Sequence, residues 1–214
     1  MKLGEHKKTL IIASIVTLFP IIIGLLLWNQ LPEQLATHFN AAGQPDDYSP
    51  KIFAVVGLPV LMLVIQWIMV ASTLTDPKKS NISPKMFDAL IWLISLVSLI
   101  LCSSTYFYGM GMKISFENLG LLLSGLAFII AGNLLPKCPQ NYTFGFKLSW
   151  ALNDEENWNK THRMGGYLWI ALGLAQIVGC FLGLYWIFYV VLAVGVIVPT
   201  VYSYSLHVKK SKNS

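Results

Sequence analysis

Six long apolar stretches, each close to the length that crosses a lipid bilayer, constrain this chain more than any other feature. An α-helix rises about 1.5 Å per residue, so roughly 20 apolar residues span a hydrocarbon core about 30 Å thick. The stretches are residues 9–28, 52–74, 86–109, 117–135, 164–182 and 187–206. They predict an all-α fold, a polytopic integral membrane bundle of six transmembrane helices. The first stretch is too long for the apolar core of a secretory signal, so we expect it to be retained.

The composition favours lipid as the main solvent of this chain. Hydrophobic side chains make up 55% of the 214 residues and charged ones 12%, whereas soluble domains have about 45–50% and about 25%. Six spans leave no room for a soluble catalytic domain, and the sequence has no G-x-x-x-x-G-K-[ST] string. We therefore expect no nucleotide-driven pump.

Positive charge is distributed unevenly over the connections between the spans. Cytoplasmic loops of membrane proteins hold the excess of Lys and Arg. One face has thirteen: Lys2, Lys7, Lys8, Lys78, Lys79, Lys85, Lys137, Lys147, Lys160, Arg163, Lys209, Lys210 and Lys212. Only Lys51 and Lys113 remain for the other face, which predicts that both termini are cytoplasmic. Because the net charge of +5 is spread over four segments, it does not indicate direct nucleic-acid binding.

Polar and small residues inside the spans favour packing over transport. Gln66 and Gln176 lie near mid-span and predict interhelical hydrogen bonds, with a polar ligand pocket as the alternative. No ionisable residue lies near mid-span, which argues against an ion-coupled transporter. One stripe of small residues predicts close helix packing within the bundle, with homodimerisation as the alternative. It consists of Ala171, Ala175, Gly179 and Gly183.

The segment between the first two spans, residues 29–51, is rich in turn-forming residues. Turns are predicted at 40–43 and at 45–47, with a short extended piece around 36–40 between the exit of the first span and the first turn. Lys51 is expected to face the lipid headgroups. His38, Asn40, Asp46 and Asp47 could converge on a metal ion, but they supply too few ligands at fixed spacing. We therefore predict a hydrogen-bonded cap over the bundle without a cofactor.

The second long connection leads into the fifth span. Asn153, followed three residues later by Glu156, predicts a helix N-cap and capping box. Trp158 and His162 are four residues apart and share one face of that helix. Interfacial anchoring or a structural hydrogen bond is the simpler interpretation of these two residues, and a ligand-binding role is the alternative.

Two residue patterns resemble known families. The string P-x5-H-F-N-x2-G-x-P-D-x-Y-x2-K, from Pro32 to Lys51, resembles the DUF1648 domain of bacterial membrane proteins. The residues G-F-K, then W, then N-x4-W-x3-H-R-x-G-G, from Gly145 to Gly166, resemble the carboxy-terminal domain of the SdpI/YfhL family. Lys147 stands where that family favours arginine, and lysine lacks the planar guanidinium fork.

The order of the two patterns predicts three regions. Residues 1–75 form a DUF1648-like region with two helices and an extracellular loop at 29–51. Residues 76–135 contain the third and fourth helices. Residues 136–214 form an SdpI-like region with a cytoplasmic loop, two helices and a basic tail.

The resemblance implies an immunity protein, not an enzyme, in the bacterial plasma membrane. Its partners would be membrane lipids, a secreted membrane-active peptide toxin and, as in the prototype system, a cytoplasmic transcriptional repressor. Candidate toxin-binding residues in the outer loop are His38, Asn40, Asp46 and Tyr48. Candidate readout residues on the cytoplasmic side are Lys147, Trp150, Trp158, His162 and Arg163.

Two other functions stay open from the sequence. A small transporter or flippase would expel a toxin or lipid, but it needs an aqueous path and an energy source. An intramembrane metal-dependent enzyme would use His38 with Asp46 or Asp47, but no H-E-x-x-H string or nucleophile–base pair accompanies them.

Overall fold

The computed structural model describes residues 3–40 and 42–212, so Lys2 of the basic amino-terminal segment and Ala41 of the first predicted turn lie outside the described residues. Six long helices make up most of the chain. They are α1 (Leu3–Leu26), α2 (Leu58–Thr75), α3 (Pro84–Gly109), α4 (Phe116–Leu134), α5 (Glu155–Phe181) and α6 (Ile187–Lys212). By length and composition six helical segments could cross a membrane, which confirms the predicted fold class.

Short elements join the helices. A π-helical turn at Phe53–Gly57 leads directly into α2. Single 3-10 turns lie at Trp28–Gln30, Lys79–Asn81, Leu135–Lys137 and Ala151–Asn153.

The connection between α1 and α2 contains the two β-strands of the described chain. β1 (Gln34–Phe39) pairs antiparallel with β2 (Pro45–Pro50). The predicted extended piece overlaps β1. The second predicted turn, at 45–47, is wrong because these residues begin β2 and pair across to β1. We call this element the hairpin.

The chain divides into two compact units, which we describe separately. Unit 1 contains the residues up to Thr75 and Pro84–Glu117; unit 2 contains Asp76–Ser83 and the residues from Asn118 onward. Unit 1 therefore holds α1, the hairpin, α2 and α3. Unit 2 holds almost all of α4, together with α5, α6 and the connection between α2 and α3.

In unit 1, α1 and α3 run parallel along a seam of small and polar residues. His6 Nδ1 lies 2.7 Å from Asp88 Oδ1. Seven residues further along both helices, Ser95 Oγ donates to the Ala13 carbonyl at 3.0 Å. Both pairs are separated by 82 residues in sequence, so the two helices advance in register and in the same direction.

A buried hydrogen-bond network joins α2 to this seam. Gln66 Nε2 donates to the Ile91 carbonyl at 3.1 Å and to Ser95 Oγ at 2.9 Å. Gln66 Oε1 accepts from Thr17 Oγ1 at 3.2 Å, and Ser98 Oγ donates to the Thr17 carbonyl at 2.9 Å. The predicted interhelical role of Gln66 is confirmed, and the network fixes the position of α2 against both neighbours.

In unit 2, α4 and α5 approach closely at two pairs of glycines. A Cβ atom on Gly132 would lie 2.7 Å from the Gly166 carbonyl oxygen, and one on Gly173 would lie 2.5 Å from the Gly125 carbonyl oxygen. Within each helix the two glycines are seven residues apart, so they fall on one face. Gly132 of α4 faces Gly166 of α5, whereas the earlier Gly125 faces the later Gly173, so the two helices run antiparallel.

The predicted small-residue stripe on α5 is wrong for three of its members, one of which, Gly183, lies beyond the end of the helix and is exposed. Ala171 and Ala175 are exposed, because the close approach uses the neighbouring face with Gly166 and Gly173. Gly179 is buried, and a Cβ atom there would meet Ile187 at the start of α6. The interhelical role of Gln176 is confirmed, since its Nε2 donates to the Leu121 carbonyl at 3.1 Å.

Candidate functional site

The exposed side of the hairpin carries a histidine–aspartate pair. His38 Nδ1 lies 2.6 Å from Asp46 Oδ1, with 68% and 41% of the two side chains exposed. Tyr48 lies on the same strand as Asp46 and is 51% exposed. The hairpin therefore brings His38, Asp46 and Tyr48 to a solvent-accessible surface, as a binding role for these residues requires.

Asn40 organises the reversal of the chain between the two strands. Its Oδ1 accepts from the backbone N–H groups of Ala42 at 2.9 Å and Gln44 at 3.1 Å. Gly43 N donates to the Asn40 carbonyl at 2.9 Å. The turn predicted at 40–43 is confirmed, and the side-chain oxygen of Asn40 is occupied within it.

The opposite side of the hairpin is anchored to the end of the unit 1 helices. Leu35 and Ala36 are buried, and Leu35 packs with Val55 and Tyr106 in one apolar cluster. A register shift lies between Ala36 and His38, and His38 beyond it is exposed.

Lys51 is also part of this anchor, so the prediction that it faces the lipid headgroups is wrong. Its side chain is only 7% exposed. Lys51 Nζ donates to Glu33 Oε1 at 2.9 Å and to the Trp28 carbonyl at 3.3 Å, and it lies 5.0 Å from the Trp28 ring centroid. These partners compensate the buried ammonium group and tie the end of β2 to the end of α1.

An aromatic cluster at the tip of β1 was not anticipated from the sequence. Phe39 stacks on Phe116 with ring centroids 3.6 Å apart, and Tyr108 meets both rings edge-on. Together with the Lys51 contacts, it fixes the hairpin at both ends of β1.

The second candidate site surrounds His162 in α5. The Trp158 carbonyl lies 2.9 Å from Nδ1 and can only accept, while the Phe146 backbone N–H lies 3.0 Å from Nε2 and can only donate. These partners assign a neutral imidazole with its proton on Nδ1. The Trp158 ring stacks on His162 at 3.9 Å, and its Nε1 donates to the Cys138 carbonyl at 2.8 Å.

Trp158 and His162 are therefore internal to the protein. Their exposed fractions are 0% and 1%, so interfacial anchoring of Trp158 is wrong, whereas a structural hydrogen bond of His162 matches the geometry. Both side chains hold the loop of residues 138–154 against α5. We refer to this segment as the inner loop.

Gly145 allows that loop to pass over the histidine. Its φ of +97° lies in the left-handed region that favours glycine. A Cβ atom at this position would overlap His162 Nε2. No side chain larger than hydrogen fits between the loop and the ring.

Trp150 joins the inner loop to α6. Its Nε1 donates to Ser203 Oγ at 2.9 Å, and its ring stacks near His207. Ser203 Oγ in turn donates to Asn157 Oδ1 at 2.6 Å, and Asn157 Nδ2 donates to the Ser203 carbonyl at 2.9 Å. The sequence indicates Trp150 but not Asn157 and Ser203, because nothing in their spacing predicts a contact between distant helices.

Lys147 and Arg163 differ from the other inner residues because both are exposed. Among the five predicted readout residues, these two are accessible to a partner. The three others, Trp150, Trp158 and His162, hold the loop in position.

The cap of α5 lies one residue later than predicted. Asp154, not Asn153, is the N-cap, and its Oδ1 accepts from the backbone N–H groups of Glu156 and Asn157, each at 3.1 Å. Asn153 ends the 3-10 turn, and its Nδ2 donates to the Ser149 carbonyl. Asp154 Oδ2 also accepts from Lys210 Nζ at 2.8 Å, so the cap binds the end of α6 as well.

Replacement of Asp154 by Ala is expected to destabilise the start of α5 by about 1 kcal/mol, because two helical N–H groups lose their acceptor. Asn153→Ala, the matched control, should lower the stability less.

The hydrogen bond from Lys210, followed by those from the backbone, holds the pKa of Asp154 below its usual 3.8. This stabilisation is present above pH 3.8 and is lost as the pH falls further. Thermal unfolding in detergent at pH 7 and across the acid range would measure both effects, and equal losses in the two variants would contradict the assignment.

The described residues show no group of three or more His, Cys, Asp or Glu side chains that could hold a metal ion. His38 and Asp46 are a pair without a third such ligand nearby. Cys102, Cys138 and Cys180 are buried cysteines outside any disulfide, and burial raises the pKa of Cys138 to about 11. No part of the described site therefore has the arrangement of a metal centre.

Asp76 also holds the inner loop, and nothing in the sequence indicated this role. Its carboxylate is buried, and Oδ2 accepts from Tyr142 N at 2.9 Å and from Thr143 Oγ1 at 2.5 Å. Asn141 is buried beside them, and its Oδ1 accepts from the backbone of Thr143 and Phe144. Asp76 directly follows a span in the sequence, where a carboxylate is expected to be solvated, so no signal marked it.

Comparison with protein families finds matches to two parts of the chain. Residues 137–203 match the model of the SdpI/YfhL protein family, and residues 15–63 match the domain of unknown function DUF1648. No match is found among curated proteins or among solved structures. The first match contains the inner loop and its supports on α5 and α6, and the second contains the hairpin. The chain is therefore a multi-pass membrane protein in which a segment that matches DUF1648 precedes a segment that matches the SdpI/YfhL protein family.

Proposed function

We propose that this protein protects a bacterial cell from a secreted, membrane-active peptide toxin by binding the toxin at the hairpin. Membership of the carboxy-terminal region in the SdpI/YfhL family supports an immunity-type function. The observation that carries the proposal is the hairpin itself. It exposes His38, Asp46 and Tyr48, while Leu35 and Ala36 of β1 are buried against the helices.

The chemistry of this surface suits a peptide with both polar and apolar groups. The His38–Asp46 pair can exchange hydrogen bonds with a backbone or a charged terminus, and the exposed Tyr48 ring can cover apolar side chains. Because the hairpin is anchored by Lys51 and Leu35, binding would not first have to order it. A pre-ordered surface keeps more of its interaction energy as affinity.

In this proposal both termini and the inner loop face the cytoplasm, in the plasma membrane, as the distribution of Lys and Arg predicts. A second role would follow on that side, where a transcriptional repressor is held at the membrane. The exposed Lys147 and Arg163 are the residues that would contact it. The buried Trp158 and His162 would act by holding the loop that carries Lys147.

The test is survival of a toxin-sensitive bacterium that expresses the protein during challenge with an SDP-type toxin peptide and related membrane-active peptides. Wild-type protein should raise the lethal concentration above that of the empty vector. The His38→Ala/Asp46→Ala variant should lose about tenfold or more of that protection, since central polar contacts often contribute more than 1 kcal/mol.

Gln44→Ala is the matched control, because Gln44 is an exposed hairpin residue whose side chain supports neither strand. It should protect like wild type at equal membrane expression. Full protection by the double variant would refute hairpin binding, and no protection by wild type against any peptide would refute the immunity function.

A further inference from the structure

A cavity of about 360 Å³ lies between the beginning of α5 and the end of α6. Its volume falls in the range of about 300–1,000 Å³ that is usual for small-molecule sites. All residues that line it belong to unit 2. Three are lysines and two are acidic, so the formal net charge of the lining is +1: Lys160, Lys209, Lys210, Asp154 and Glu156. We call this space the lysine cavity.

The walls of the lysine cavity are held by contacts between its two helices. Asp154, the N-cap of α5, accepts from Lys210 Nζ of α6 at 2.8 Å. Asn157 also lines the cavity and is buried, and its Nδ2 donates to the Ser203 carbonyl of α6 at 2.9 Å. These contacts fix the spacing of the two helices, so a ligand would meet a pre-formed site and lose little affinity to ordering it.

Lys209 carries the positive charge that these contacts do not use. Lys160 Nζ forms an ion pair with Glu156 Oε1 at 2.7 Å. Lys210 is paired with Asp154 in the same way. Lys209 is exposed and forms no hydrogen bond or ion pair with a described residue. The charge that remains after pairing therefore lies on Lys209, and Lys160 can still donate elsewhere, because an ammonium group has three N–H donors.

The depth of the lysine cavity matches the headgroup layer of a bilayer. The apolar run of α6 ends at Leu206, which also lines the cavity. Lys209 and Lys210 follow three and four residues later, which is about 4.5–6 Å further along a helix. The headgroup layer is about 5–8 Å thick on each side of the hydrocarbon core. The two ammonium groups are therefore expected at the level of the lipid phosphates, with Leu206 where the acyl chains begin.

The charge of the lining distinguishes between ligands that carry phosphate. A phosphodiester has a single negative charge, which matches the +1 of the lining. A phosphomonoester has about −1.5 to −2 near pH 7, and its second charge would be repelled by Asp154 and Glu156. An amine in the headgroup would be repelled by Lys209. The lining thus fits a phosphodiester headgroup without an amine.

We propose that the lysine cavity binds the phosphodiester of an anionic phospholipid such as phosphatidylglycerol, with Lys209 as its main contact. Basic pockets between membrane helices are a recurring way of binding anionic lipid headgroups. Lys160 supplies further N–H donors, and Leu206 contacts the beginning of an acyl chain. This inference concerns unit 2 alone and holds whether or not the protein binds a toxin.

Native mass spectrometry of the full-length protein in detergent, titrated with phosphatidylglycerol or phosphatidylcholine, tests the proposal. Wild type should bind the first phosphatidylglycerol molecule about tenfold more tightly than phosphatidylcholine. Lys209→Glu should lower the affinity for phosphatidylglycerol about tenfold, because an attraction becomes a repulsion. If Lys209→Glu does not yield monodisperse protein, Lys209→Gln removes the charge without reversing it and should still lower the affinity severalfold.

Lys212→Glu is the matched control for these variants. It makes the same change of charge in the same helix, but Lys212 is an exposed residue outside the cavity lining, so the affinity should stay close to that of wild type. An excess of inorganic phosphate should not displace the lipid. Equal affinity of wild type for the two lipids, equal affinity of the Lys209 and Lys212 variants for phosphatidylglycerol, or displacement by inorganic phosphate would overturn the proposal.

Discussion

Gly132→Ala is expected to destabilise the protein by about 1–3 kcal/mol, although it adds only one methyl group. The new Cβ would lie 2.7 Å from the Gly166 carbonyl oxygen and 2.9 Å from the Ile170 backbone nitrogen. Both are backbone atoms, so no side chain can rotate away, and α4 and α5 must separate. In lipid, helix association depends on such close packing, which separation would weaken along the whole pair.

Gly120→Ala is the matched control for this prediction. It makes the same change in the same helix, but a Cβ atom at Gly120 would meet nothing within 4 Å. Midpoints of thermal unfolding in one detergent, with size-exclusion traces before heating, would compare the two variants. Equal midpoints would mean that the glycine contact between α4 and α5 does not contribute to stability.

Gly145→Ala is expected to have an effect of about 3 kcal/mol or more, confined to unit 2. Alanine pays for the left-handed backbone at φ +97°, and its Cβ overlaps the His162 ring. The loop must then leave His162, which breaks the hydrogen bond from Phe146 N. The stack of Trp158 on His162 should be disturbed as well, and thermal unfolding together with tryptophan emission would record both changes.

Two further variants separate backbone strain from overlap. Gly183→Ala also places alanine at a positive φ, +71°, but a Cβ atom there meets nothing within 4 Å, so it reports backbone strain alone. In a His162→Ala background, the cost of Gly145→Ala should fall to about that of Gly183→Ala. If the cost stays the same with and without the imidazole, the proposed overlap is wrong.

The bundle could be predicted because long apolar helices are marked by many residues at once. A run of about 20 apolar side chains can be recognised even if a few of its residues are polar, and all six predicted spans lie at the six long helices.

The hairpin was harder to predict. Its β1 strand and first turn were indicated by local chemistry, but Pro45 and two aspartates resemble a turn until pairing with β1 is known.

Residues of the candidate site could be predicted where both members of a contact lie close together in the sequence. They could not be predicted where a residue's hydrogen-bond partner lies on a distant element. His38 and Asp46 are eight residues apart, and the turn at Asn40 brings them together. Lys51 and Asp76 have partners that are far along the chain or on another element, and their charges suggested exposure. Burial of a compensated charge depends on tertiary contacts, which a single sequence does not contain.

The parallel alignment of α1 and α3 imposes an order on the synthesis of this protein. Two consecutive membrane helices normally run antiparallel, so α1 cannot meet its parallel partner until α2 and the start of α3 have left the ribosome. Until then His6 lacks Asp88, and the Thr17 hydroxyl lacks Ser95 Oγ as an acceptor. The first helix must therefore remain next to the insertion machinery, or tolerate lipid around polar groups, while more than sixty further residues are made. The packing of α1, α2 and α3 is therefore completed only after α3 has been inserted into the membrane.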